Sequence, residues 1–187
     1  MTVHVFEKSL ALSHQHESSP WWDAIYQTAF PGFLSAVSVR DDGWAQRAGI
    51  DRVVTLKSGK TVTIDEKVRD KSYNDILLER WSDRGSNIPG WVQKDLACDF
   101  IAYALVPDRR CYLIPFMLLR RAWQQNGRTW IDKANQRADG FRTVEAHNVG
   151  SFGRGYITES VAVPTATLLS ALQNAQVIDW PAESATA

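Results

Sequence analysis

Apolar residues along this chain fall into short runs separated by Gly, Pro, Asp and Ser, with helical spacing in two places. Trp22, Ile25, Tyr26 and Ala29 recur at i, i+3, i+4 and i+7 between Ser19-Pro20 and Pro31-Gly32. That spacing and those flanks predict a helix over 21–30 with one apolar stripe for a sheet. Residues 33–40 read as a strand or a short amphipathic segment, and Asp41-Asp42-Gly43 as a turn leading through 44–49. Between 49 and 69, Val53, Val54 and Leu56 precede Ser58-Gly59, while Val62 and Ile64 follow, interleaved with Thr61 and Thr63. This alternation predicts a β-hairpin. Residues 75–82 form a short apolar run bounded by turn residues; a strand is favoured over a capped helix. A polar loop follows over 82–90, and 91–97 suits one or two helical turns. Residues 99–106 and 111–114 pair around Pro107-Asp108-Arg109-Arg110. Pro115 opens a second helix with Leu118, Leu119, Ala122 and Trp123 inward, expected to end at Gly127. Residues 128–148 are polar and basic and read as an insertion over substrate. A strand over 156–163 and a helix from Pro164-Thr165 to Gln173 complete the pattern, with 1–18 and 181–187 poorly ordered.

The register of the 49–69 hairpin decides which residues share a face. A two-residue turn at Ser58-Gly59 makes paired residue numbers sum to 117 and sets Val54 beside Thr63 and Asp51 beside Glu66. A three-residue loop, Lys57-Ser58-Gly59 with Gly59 left-handed, makes the sum 116 and sets Val54 beside Val62. The apolar pattern selects the even sum. Asp51 then stands opposite Asp65, with Lys67 two residues along the same face. If 75–82 pairs back with a sum of 144, Glu79 extends the row beside Asp65; a slip of one residue turns it away.

Composition narrows the setting. A chain of 187 residues is most simply one domain. The formal charge is zero, but residues 105–158 carry nine Lys and Arg against four acids. Excess base there and excess acid near residue 51 suit a metal-dependent enzyme acting on a polyanion. Cys98 and Cys111 have no metal-ligand spacing and read as reduced core thiols of a cytoplasmic protein. No stretch approaches the ~18 apolar residues of a membrane span. His14, His16 and Glu17 fit a polar approach to the first helix better than a metal site, and His147 reads as a loop histidine. The Gly150–Gly155 stretch is glycine-rich and cationic but lacks the Gly-Lys-Ser/Thr of a P-loop.

Two opposed carboxylates with Cβ atoms roughly 5 Å apart repel unless something positive lies between them. Mg²⁺, which takes one or two carboxylates and keeps several waters, suits them, and an adjacent lysine suits phosphodiester hydrolysis. The plainer reading is a surface ion pair. The order Asp51, hairpin, Ile64-Asp65-Glu66-Lys67 resembles the signature of the PD-(D/E)XK nuclease superfamily. Asp51 matches the first acid, Asp65 the second and Lys67 the lysine, while Ile50 replaces the proline and Asp65 stands where Glu is commoner. The resemblance extends to the order helix, strands, helix, strands over roughly 20–126. It implies an α/β, restriction-endonuclease-like core with a central mixed β-sheet built largely from hairpins and flanked by helices. It also implies Mg²⁺-dependent cleavage of DNA, with Mn²⁺ as a substitute. Asp51, Asp65 and Glu79 would hold metal, Lys67 would position water, and Asp23 or Glu17 would add an acid from the first helix. Gln46, Arg120, Arg121 and Arg154 are candidates for phosphate contact, although a solvated face is the plainer reading of the first three and a flexible connector accounts for Arg154 at least as well. An RNA- or junction-specific nuclease and a catalytically silent nucleic-acid- or partner-binding protein on this fold stay open, as does a homodimer.

Overall fold

The structure, a computed structural model, describes residues 4–5, 16–149 and 153–181. The protein is mixed α/β, and it divides into two compact units. One comprises Leu12–Ser72, Leu96–Phe116 and Asn174–Ala187; the other comprises Met1–Ala11, Tyr73–Asp95 and Met117–Gln173. Each unit has its own mixed sheet, where the sequence pattern predicts one central sheet. The expectation of poor order over 1–18 and 181–187 falls mostly outside the described residues.

The first unit holds β2 (Phe33–Ser38), β3 (Arg52–Leu56), β4 (Thr61–Arg69), β7 (Phe100–Leu105), β8 (Arg110–Pro115) and β11 (Gln176–Asp179), in the order β11-β8-β7-β4-β3-β2. All neighbours are antiparallel except β4 and β7. The β3–β4 pairs are Arg52–Ile64, Val53–Thr63, Val54–Val62 and Thr55–Thr61, so the sum is 116 as the apolar alternation predicts. Gly59 sits at φ 82° and donates to the Leu56 carbonyl at 2.8 Å, closing the three-residue loop. A non-glycine residue would be strained in that conformation. The parallel neighbour β7 is tied in at its start, where the Asp99 carboxylate accepts from the Thr63 N–H at 2.8 Å.

Helix α1 (Trp21–Ala29) lays Trp22, Ile25, Tyr26 and Ala29 on this sheet, against Val54, Ile64, Ala102, Ala104 and Leu113. Trp21 stacks on Trp180 just beyond β11, with ring centroids 4.6 Å apart. Between β2 and β3, Asp42 accepts from the N–H groups of Trp44 and Ala45 and caps a short helix, α2 (Gly43–Arg47). The expected turn at 41–43 is therefore a helix start.

The second unit holds β1 (His4–Val5), β5 (Asp75–Asp83), β6 (Ile88–Pro89), β9 (Arg142–Val149) and β10 (Gly155–Pro164), in the order β1-β9-β10-β5-β6. The strand expected over 75–82 forms, but not the hairpin that would pair it with β4. β5 pairs instead with β10, matching Ile76 with Val163 and Leu78 with Val161, and with β6. The β4 edge it would have used is taken by β7. Residues 91–94 make one turn and no helix. Helix α4 (Thr165–Leu172) follows β10 as expected.

Helix α3 (Phe116–Gln136) does not end at Gly127. Leu119, Trp123, Trp130 and Ala134 continue one buried stripe through it. A Cβ at Gly127 would lie 3.1 Å from the Trp123 ring, so the glycine serves close packing inside the helix. The expected insertion at 128–148 is therefore helix followed by β9. Among the described residues no helix is long and apolar enough to cross a membrane. Proline at Gly127 removes a backbone donor and clashes with the preceding turn, so Gly127→Pro should cost about 3 kcal/mol or more. Urea denaturation checks this; an unchanged midpoint would mean the helix stops there after all.

Candidate active site

Asp51 lies one residue before β3, held on both sides by backbone bonds. Its N–H donates to the Ile64 carbonyl at 2.8 Å, and its carbonyl accepts from the Val39 N–H at 2.9 Å. Its Oδ2 accepts from the Glu66 N–H at 2.8 Å, which fixes the carboxylate beside β4. Alternation along β4 puts Asp65 and Lys67 on one face. Lys67 Nζ donates to Asp65 Oδ1 at 2.5 Å. Asp65 is 3% exposed, whereas the Asp51 and Lys67 side chains are 18% and 30% exposed. Burial pushes the Asp65 carboxyl up to about 7. Lys67 opposes that rise, and Asp51 adds to it through its charge and a hydrogen bond between the two carboxyl groups. The three side chains named from the hairpin register therefore converge, two acids beside an amine.

Glu66 faces the other way, into the packing beneath α1. Its side chain is fully buried and accepts from Tyr26 Oη at 2.6 Å and Arg52 Nε at 2.5 Å. Arg40 Nη2 lies 3.1 Å from Glu66 Oε2 and 3.1 Å from Asp51 Oδ2, linking the two faces at the edge of the sheet. Burial, then the Glu66 charge, holds the Tyr26 hydroxyl well above its ordinary pKa, so it stays a donor. Sequence reasoning missed Tyr26, Arg40, Arg52 and Glu66. The available signal was a glutamate in line with Ile64 on an inward face, below a helix stripe containing one tyrosine.

Of the two N-terminal acids considered, Glu17 is drawn toward this cluster. Its Oε1 accepts from Ser38 Oγ at 2.7 Å and lies 3.9 Å from Arg40 Nε, and its carbonyl accepts from Arg52 at 2.7 Å. Asp23 is exposed on α1. Cys98 is buried near the trio. Its thiol is pushed up to about 12 by burial first and then by the Asp65 charge, against the pull of Lys67. Both cysteines are free thiols.

The row extending to Glu79 does not form. Glu79 sits on β5, opposite Ser160 of β10, and its Oε1 accepts from the Trp91 N–H at 3.3 Å. Gln46 is exposed on α2. Arg120 and Arg121 lie on α3, where Arg120 pairs with Asp95 at 2.6 Å and Arg121 is exposed. Arg154 is exposed just before β10; hydrogen bonds from Ser86 and Gly85, with a smaller contribution from the Arg154 charge, hold the Asp83 carboxyl below its usual range. His147 is exposed within β9 rather than in a loop, His16 faces Ser19 Oγ at 3.4 Å, and His14 and residues 150–152 lie outside the described residues.

Among the described residues no group of three or more His, Cys, Asp and Glu side chains is arranged as a metal cage. The Asp51–Asp65 pair nevertheless fits a hard divalent cation chemically. It offers two neighbouring carboxylates, one of them buried, that a positive partner between them would stabilise. Comparison with protein-family models, with curated proteins and with solved structures finds no match to this chain.

The raised Asp65 carboxyl has a consequence for stability. Between about pH 4, where an unfolded aspartate ionises, and about 7, the folded chain holds a proton the unfolded chain lacks, so stability falls as pH rises. Asp65→Asn removes that penalty and should unfold later than the wild type at pH 8, by about 1–3 kcal/mol. The gap should shrink toward pH 4. Urea midpoints across this range test it, and a gap independent of pH would contradict the assignment.

Proposed function

We propose that the chain is a Mg²⁺-dependent nuclease that hydrolyses DNA phosphodiester bonds. The observation that carries this reading is the convergence of Asp51, Asp65 and Lys67 on one face of the β3–β4 hairpin, with burial raising the Asp65 carboxyl to about 7. Perturbed carboxyls beside a charged partner cluster at functional sites. Asp51 and Asp65 would hold the ion. Mg²⁺ there supplies Lewis-acid polarisation of a phosphoryl oxygen and a lowered pKa for water. Lys67, with its stem along the sheet and Nζ on Asp65, orients the attacking water or neutralises charge that develops on the phosphate. Arg40 and the Glu66 N–H hold the Asp51 carboxylate in place, so its orientation does not depend on substrate. Gln46, Arg120, Arg121 and Arg154 remain candidates for the phosphate backbone. The two buried free thiols suit a reducing cytoplasm.

One observation favours a second reading. The Arg40 guanidinium already lies 3.1 Å from Asp51 Oδ2 and partly satisfies its charge. A protein that binds nucleic acid or a partner without cutting would keep such a pair.

Cleavage of plasmid and of labelled DNA, RNA and junction oligonucleotides, with Mg²⁺ or Mn²⁺, separates these readings. The wild type should cut DNA, and Lys67→Ala and Asp65→Asn should each lose roughly 10²-fold or more while staying folded. Glu79→Gln should leave the rate unchanged, since Glu79 is not on this sheet. At limiting Mg²⁺ the rate should rise about tenfold per pH unit up to about 7 and then level, because the shared proton must leave before an ion is held. DNA binding with no cleavage in either metal would transfer the case to the silent protein.

A further inference from the structure

In the second unit, β5, the turn after β6 and one face of α3 enclose a groove of about 560 Å³. That volume falls in the ~300–1,000 Å³ range of small-ligand sites. Its composition is unusual for this chain. Arg80 and Trp81 come from β5, and Arg120, Trp123, Gln124 and Arg128 come from α3, with three arginines against one acid, Asp132, in the lining. The α3 residues recur at i, i+3, i+4 and i+8, so the helix presents them as one stripe. Eight residues of helix separate the two α3 guanidinium groups by ~12 Å along the axis. Between them lies Gly127, whose missing side chain leaves bare backbone beside the Trp123 ring. A glycine in mid-helix costs about 1 kcal/mol relative to alanine. What it obtains here is room for the Trp123 ring to lie against the helix at the groove wall.

The most accessible cation of the groove is Arg128. Arg128 is exposed and forms no ion pair among the described residues. Arg120 pairs with Asp95, whose side chain is 92% exposed. Such a pair is worth at most about 1 kcal/mol and gives way to a better anion. The Arg80 guanidinium pairs with Glu159 at 3.2 Å and lies 5.2 Å from the centre of the Trp81 ring, so it is held against the indole as part of the groove wall. Forked guanidinium groups match phosphate oxygens in pairs. Indole faces stack any base, and side-chain amides bond base edges. A carboxylate ligand would use the arginines and leave the tryptophans idle.

We infer that this groove binds an unpaired nucleotide of a single strand, with the base against the Trp81 indole and its phosphates on Arg128 and Arg120. The inference stands apart from cleavage, since it concerns residues of the other unit and needs no divalent ion.

Fluorescence anisotropy with labelled hexanucleotides of deoxythymidine and of uridine, titrated with the full chain in EDTA, tests it. Saturable binding is expected with one or both, the two arms telling DNA from RNA. Arg128→Glu and Trp81→Ala should each weaken binding by about tenfold, the scale of one lost stacked base or charge contact. Trp81→Phe and Arg128→Lys should retain most of it. Lys67→Ala should bind as the wild type does, while losing cleavage if the nuclease reading holds. Loss of binding in Lys67→Ala would overturn the groove assignment. So would wild-type affinity in Arg128→Glu, a variant at an exposed position that should fold normally. Displacement by poly-glutamate as effective as by unlabelled hexanucleotide, or a blunt duplex binding as tightly, would overturn it too.

Discussion

Strand β4 carries Asp65, Glu66 and Lys67 through the middle of a six-stranded sheet, and two of the three are almost wholly removed from water. Burying ionised carboxylates on both faces of one strand is costly unless each finds its own partners. The two faces solve this differently. Glu66 has Tyr26, Arg52 and Arg40 around it, enough donors to satisfy both its oxygens and to clamp α1 and β3 onto β4. Asp65 has Lys67 on one side and a second acid on the other. It is left short of positive charge, and burial raises its carboxyl to about 7.

That asymmetry separates scaffold from candidate chemistry. A buried acid that is fully matched stabilises an arrangement and has little left to offer. A buried acid that is under-matched, beside an amine and a second carboxylate, has capacity for a cation or a proton. Arg40 joins the two regimes, since one guanidinium nitrogen touches both Glu66 and Asp51. The precision of Asp51 is thus borrowed from the structural network on the opposite face.

The second unit is organised by apolar pairing between β5 and β10 and by the long stripe of α3, and its charges lie at the margins. Its groove combines indoles and guanidinium groups where the first unit combines acids and an amine. The two sets of side chains offer different chemistry: carboxylates and an amine in one unit, guanidinium groups and indoles in the other.

Local patterns were sufficient for part of this. The apolar alternation on either side of Ser58-Gly59 determined the hairpin register, and with it the meeting of Asp51, Asp65 and Lys67, because register and loop length are short-range properties. The stripe from Trp22 to Ala29 likewise determined α1, and turn residues bounded β5. The partner of β5 was not legible, since an apolar strand edge can pair with any other and only the competition between β7 and β5 for β4 decided it. Gly127 read as a helix end because its reason, a tryptophan ring lying over it, is a packing contact. Glu66 drew its meaning from a tyrosine on α1, an arginine on β3 and another beyond β2. Such networks join residues up to 40 positions apart in sequence, and only the tertiary structure brings them within hydrogen-bond reach.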